Sequence, residues 1–146
     1  MKRNKKAIFL AAFAFAGSCI FTNCAGEPKN QTSANDKQVI AELKESEKML
    51  NAILPRMIDS VTNWDEVKFK EPDVYEYYYT ILNIEEKKLG SKKEFLQTVL
   101  KNSIIENYKD NAAVDIFRIN NMTLKHIYRD KNKTEIFTIT LLPGEY

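Results

Sequence analysis

Between Asp36 and Leu54, the apolar residues Val39, Ile40, Leu43, Leu50, Ile53 and Leu54 recur at helical spacing, with Glu and Lys filling the other side. Asn35 or Asp36 can cap the start of this helix, and Pro55 stops it. A second helix is marked by Gly90 and the capping-box pattern from Ser91 to Glu94. Phe95, Leu96, Val99, Leu100, Ile104 and Tyr108 then follow on one broad face. A further short helical turn is expected over 112–117.

Two segments alternate with the period of strands, and each has its own turn. Around Glu71-Pro72-Asp73, pairing Phe69 with Tyr75 and Val67 with Tyr77 makes one apolar face. The same register sets Lys68 against Glu76 and Glu66 against Tyr78, whereas a shift of one residue would set Phe69 against Glu76. The second hairpin turns at Asp130-Lys131-Asn132-Lys133, where Asn132 can take the left-handed conformation. Pairing Leu124 with Ile139, His126 with Phe137 and Met122 with Leu141 again sorts apolar from polar. These elements predict an α+β domain in the order α-β-β-α-β-β, an antiparallel four-stranded sheet of two hairpins packed on one face by two helices.

The chain begins differently. Lys2, Arg3, Lys5 and Lys6 precede an apolar run from Ala7 to Ala16, which loosens at Gly17 and Ser18 and turns polar after Cys24. That is the order of a signal peptide. A membrane-crossing helix needs about 20 mostly apolar residues, more than this run supplies. Both cysteines lie here, and the region resembles the lipobox of bacterial lipoproteins, whose cleavage leaves a cysteine for diacylglyceryl attachment. Phe21-Thr22-Asn23-Cys24 puts polar sequence directly after the cut and is the preferred register. Ala16-Gly17-Ser18-Cys19 is the alternative, with smaller residues before the cysteine but Ile20 and Phe21 after it. The expected organisation is a signal peptide over 1–23, a lipidated Cys24 with a flexible tether over 24–35, and one domain over 36–146.

This division changes the charge balance. The chain has 22 Lys and Arg against 20 Asp and Glu, but four of the basic residues and none of the acidic ones precede Cys24. The mature part is therefore slightly acidic, and nothing favours a nucleic-acid partner. From Ala25 onward there is no cysteine, so no disulfide framework can form there. His126 is the single histidine and falls on the predicted apolar face, where it reads as a core residue. One histidine without thiols cannot build a Cys/His zinc site, and no nucleophile elbow, phosphate loop or His-Glu-x-x-His motif occurs. Neither a metal nor a cofactor is expected.

Asp59, Asp65, Glu66, Glu71, Asp73 and Glu76 do cluster in the first hairpin, and two of them could serve as acid and base in hydrolysis of a cell-wall glycan. Interleaved with Lys68 and Lys70, they read more readily as a solvated surface. The segments Leu54 to Asp59, Tyr77 to Thr80 and Tyr128 to Lys133 resemble a group of small exported bacterial proteins of uncharacterised function. The present chain departs from that group in lacking a C-terminal cysteine pair and in having Asn132 where Gly is usual, and the resemblance brings no catalytic residue.

The reading that follows is a non-enzymatic envelope lipoprotein, membrane-anchored and binding a protein partner as inhibitor, immunity or assembly factor. The small glycan hydrolase is the alternative. The expected binding surface is the sheet face away from the helices, centred on Trp64, Tyr78, Ile127 and Ile136. The anchor is directly testable. Cys24→Ala should leave an uncleaved precursor that takes up no palmitate analogue, while Cys19→Ala should still be processed and labelled. Loss of labelling in Cys19→Ala alone would move the anchor to Cys19.

Overall fold

The computed structural model describes residues 32–146, with side chains from Lys37 onward. The signal segment, Cys19, Cys24 and the tether up to Gln31 lie outside the described residues. The elements are α1 (Thr32–Asn51), β1 (Arg56–Met57), β2 (Thr62–Lys70), β3 (Val74–Ile81), α2 (Lys92–Tyr108), α3 (Asp115–Ile119), β4 (Thr123–Asp130) and β5 (Glu135–Leu141). Single 3-10 turns at Glu86–Lys88 and Ala112–Val114 lead into α2 and α3.

The sheet is five-stranded and mixed, in the order β1-β2-β3-β4-β5, which corrects the expected four-stranded antiparallel sheet with two helices. Two features account for the difference. β1 is only two residues long, pairing Arg56 with Trp64 and Met57 with Asn63, too short to show any alternation. The hairpins meet through β3 and β4, which run parallel over eight residue pairs from Val74↔Thr123 to Ile81↔Asp130. The crossover explains the direction. The 17 residues of α2 span about 26 Å, and the eight of β3 also span about 26 Å. The helix therefore carries the chain back to the end where β3 began, and the next strand must run parallel to it.

The first hairpin has the register read from its pattern, with Phe69↔Tyr75, Val67↔Tyr77, Lys68↔Glu76 and Glu66↔Tyr78. The second keeps the expected faces for most of its length but slides by two residues, to Leu124↔Leu141, His126↔Ile139 and Tyr128↔Phe137. In its turn Lys133, not Asn132, takes the positive φ of 65°. Ser91 makes no side-chain cap, so the expected capping box does not form.

Leu43, Ile104, Tyr108, Val114 and Phe117 from the helical segments join the inward residues of all four long strands in one buried cluster. Among the described residues, no helix lies across the opposite face of the sheet. The buried helical stripes are narrower than expected, since Ile53 on the α1 side and Phe95 and Val99 on α2 are exposed. Arg118 ties α3 to the end of α2, bonding the Asp115 carboxylate and the Tyr108 carbonyl.

Candidate functional site: the open sheet face

The open face is organised by one irregularity in β2. Trp64 pairs with Tyr79 and Glu66 with Tyr78, so Asp65 is an extra residue in a β-bulge. The bulge reverses the alternation. Trp64 turns inward, its ring 6.1 Å from Tyr77 and 6.4 Å from Tyr79, and the indole Nε1 is buried without a hydrogen-bond partner. Asp65 and Glu66 are left on the open face together, beside Arg129 of β4.

Asp65 is the centre of that face, with a side chain only 9% exposed. It accepts from Thr80 Oγ1 at 2.6 Å, Asn63 Nδ2 at 2.7 Å, Arg129 Nη2 at 3.0 Å and Lys133 Nζ at 3.0 Å. Lys133 also donates to Thr80 Oγ1 at 2.8 Å, reaching across from the β4–β5 turn. Burial pushes the Asp65 carboxyl up, but the bonds from Thr80, Lys133, Asn63 and Arg129 outweigh it and hold the group below the usual carboxylate range. Charge-assisted hydrogen bonds of this kind are what make a buried carboxylate tolerable.

Next to this cluster stands Tyr78. Lys68 Nζ lies 4.6 Å from its ring centroid and the Arg129 guanidinium 4.9 Å, both within cation–π range. Its hydroxyl donates to Glu76 at 2.6 Å, and desolvation with the neighbouring carboxylates pushes the phenol up. Glu66 closes the ring of contacts, 3.1 Å from Lys68 Nζ and 3.7 Å from Arg129 Nη2. Beneath Tyr78 in the sheet is Ile127, its register partner, buried at 7% yet outside the main core cluster.

Two of the four expected binding residues, Tyr78 and Ile127, thus sit together on the open face. Trp64 and Ile136 do not. Trp64 is turned to the core by the β2 bulge, and Ile136, 1% exposed, belongs to the core cluster because a second bulge interrupts pairing where Tyr128↔Phe137 gives way to Arg129↔Glu135. Pattern reading puts Thr80 and Arg129 on this face as polar strand positions but does not single out Asn63 or Lys133. The signal that could have found them is the Asp65-Glu66 doublet, two adjacent charges inside an otherwise alternating strand.

The carboxylates proposed for hydrolysis are not gathered in a cleft. Asp59 accepts from the Val61 and Thr62 amides, Glu71 pairs with Lys44 at 2.5 Å, and Glu76 is held by Tyr78. Asp65 is shifted in the direction opposite to a general acid's. Two shallow depressions lie elsewhere, at the end of α2. Glu106, Asn107 and Asp110 line one, and Ile105, Lys109 and Tyr146 the other. Among the described residues, no three His, Cys, Asp or Glu side chains converge as metal ligands, and no helix is long and apolar enough to cross a membrane.

A family model for a domain of unknown function, DUF8479, matches residues 34–137, most of the chain. The chain belongs to this family. No curated protein matches the sequence. Among solved structures, a candidate secreted protein of Pseudomonas aeruginosa is similar, with 13% identity and a TM-score of 0.59 over 77% of this chain and 96% of that one. The type 2 secretion system pilotin of Vibrio vulnificus is 12% identical, with a TM-score of 0.56 over 77% and 94%. The type II secretion system pilotin of Vibrio cholerae is 11% identical, with a TM-score of 0.53 over 79% and 98%. At these identities the likeness is one of fold, and that fold serves both a candidate secreted protein and pilotins.

On the far side of the sheet, His126 is a core residue, 1% exposed, and lies opposite Ile139 instead of the expected Phe137. Its ring stacks on Tyr77 at 4.8 Å and 6°, with Tyr79 Oη 3.4 Å from Nδ1 and Tyr108 Oη 3.3 Å from Nε2. One ring nitrogen donates to a tyrosine and the other accepts from one, which a neutral imidazole satisfies. Desolvation pushes its pKa down to about 3 from the ordinary 6.5. The unfolded chain takes up a proton below about pH 6.5 and the folded chain refuses it until about 3. Stability should therefore fall by about 1.4 kcal/mol per pH unit as pH drops through that window. Chemical denaturation should show this slope building to its full value as pH falls from 6.5 to 5 in the native protein, and no such slope in His126→Gln. A slope that persists in the variant would assign it to other groups.

Proposed function

We propose that this protein is a non-catalytic interaction module of the bacterial envelope, anchored by a lipid on Cys24 and engaging a protein partner through its open sheet face. Of the possible roles, that of an assembly factor fits best. The observation that carries the reading is the open face itself, a sheet surface covered by no helix among the described residues, on which Tyr78 lies under two cations beside a fourfold-bonded carboxylate. Such a face is pre-organised. Its long side chains are already fixed by bonds within the molecule, so a partner need not order them on docking. An aromatic flanked by Arg is also the composition of an interface hot spot.

Further support comes from the company the fold keeps, with two solved pilotins of type II secretion systems and a candidate secreted protein sharing it. The lipobox-like segment accords with an envelope location. The glycan hydrolase finds no comparable support, because the hairpin carboxylates are held by local partners outside any cleft and the Asp65 carboxyl lies below the usual carboxylate range.

The test uses the full chain extracted from its native membranes under mild detergent, after in-cell crosslinking. Tyr78→Ala combined with Lys68→Ala should lower recovery of the crosslinked partner by about tenfold or more, the scale of losing one hot-spot residue. The thermal midpoint should stay near that of the native protein, since both side chains lie on the uncovered face. Undiminished recovery, or hydrolysis of purified cell-wall glycan that is abolished by Asp65→Asn, would reject the proposal.

A further inference from the structure

The helical side of the sheet carries an apolar point that the core does not use. In α2, Leu96, Leu100, Ile104 and Tyr108 pack toward the sheet. At about 3.6 residues per turn, Phe95 points almost directly away from that stripe, with Val99 beside it one turn on. Phe95 is 73% exposed and Val99 46%. Farther along the same outer line stand Asn102 and Glu106, both exposed, so the apolar surface is confined to the first two turns.

Cations surround this point. Lys87, Lys88 and Lys92 are exposed around the entry to α2, and Lys87 and Lys92 join no ion pair among the described residues. Glu85 is held by Lys88 at 3.0 Å and Lys131 at 2.7 Å, and Glu86 by Lys93 at 3.7 Å. Glu94 lies about 100° round the helix from Phe95. The unpaired charge beside Phe95 is therefore positive.

The path of the chain brings a lipid surface to this side of the molecule. Thr32, the first residue of α1, stands eight residues after Cys24, a span of at most about 29 Å. α1 runs against β2, meeting Glu71 at Lys44 and Val67 at Asn51, while α2 runs with β5, meeting Thr138 at Gln97 and Glu145 at Lys101. Both helices pack on the same side of the sheet. A lipid on Cys24 thus keeps the helical side close to a bilayer.

We infer that the first two turns of α2 dock on the membrane surface, Phe95 entering among the acyl chains while Lys87 and Lys92 meet anionic lipid headgroups. The inference rests on the lipid anchor proposed above. An exposed aromatic with basic neighbours has the composition of an interfacial contact. Two apolar side chains fall well short of the roughly 800 Å² per partner that a stable protein interface buries, whereas a chain already anchored needs only a weak second contact to fix its orientation. With the helical side down, the open face is turned away from the bilayer and toward a protein partner.

The test uses the mature lipidated chain in vesicles of phosphatidylethanolamine and phosphatidylglycerol whose acyl chains carry a nitroxide quencher. No cysteine follows Cys24, so a fluorophore can be placed uniquely at Val99→Cys, which keeps Phe95, or at Lys125→Cys on the open face. The label at 99 should be quenched and the label at 125 left bright. Quenching at 99 should be lost in Phe95→Asp and reduced in Lys87→Glu combined with Lys92→Glu. On chains that float with the vesicles, an unquenched label at 99, including one shielded by a second protein, would overturn the inference and leave the anchor standing. Equal quenching at both positions, or quenching indifferent to Phe95→Asp, would overturn it in the same way. Chains that do not float would reject the anchor itself, and the inference with it.

Discussion

Eight parallel residue pairs between β3 and β4 are the seam on which the rest of the molecule depends. Each hairpin alone is a two-stranded ribbon, which is marginal in water. Joined at the seam, they make one sheet with two chemically distinct sides. Inward, the pairing brings Tyr77 onto His126 and Tyr79 onto Tyr128, with ring centroids 4.8 and 4.9 Å apart. Outward, the same pairs alternate with Tyr78 on Ile127 and Thr80 on Arg129. The aromatic core and the charged face are therefore fixed by one register, and a slip of one residue would exchange them.

The β2 bulge completes the outer side. Without the extra residue, the strand could not direct two adjacent carboxylates outward while Trp64 stacks inward. With it, Asp65 reaches the cations of β4 and of the β4–β5 turn. The positive φ of Lys133 belongs to the same arrangement, since that turn carries the ammonium group that bonds both Asp65 and Thr80.

Local alternation made the first hairpin, its register and the outward position of Tyr78 legible in the sequence. It also placed His126 inside, because strand parity survives the two-residue slide that moved its partner from Phe137 to Ile139. Features that depend on contacts between distant segments were not legible. Parallel pairing of the hairpins leaves no mark in either hairpin's own pattern, although the matching lengths of α2 and β3 imply it once both are known. A bulge breaks the periodicity from which faces are assigned, so Trp64 and Ile136 were placed on the wrong side and the Asp65 cluster was passed over. The two-residue β1 is below the length at which alternation carries information.

What emerges is a fold shared with pilotins and a candidate secreted protein, carrying a pre-organised polar and aromatic face opposite its helices. The central claim is that this face, and not the helical side, meets the partner. Photo-crosslinking in intact cells tests it most directly, with a photoreactive residue placed singly at Lys68, Tyr78 or Lys125 on the face and at Phe95 or Asn102 on the exposed side of α2. The account predicts one common adduct from the three sheet positions and none from the helix. Adducts from Phe95 and Asn102 with a silent sheet face would contradict it.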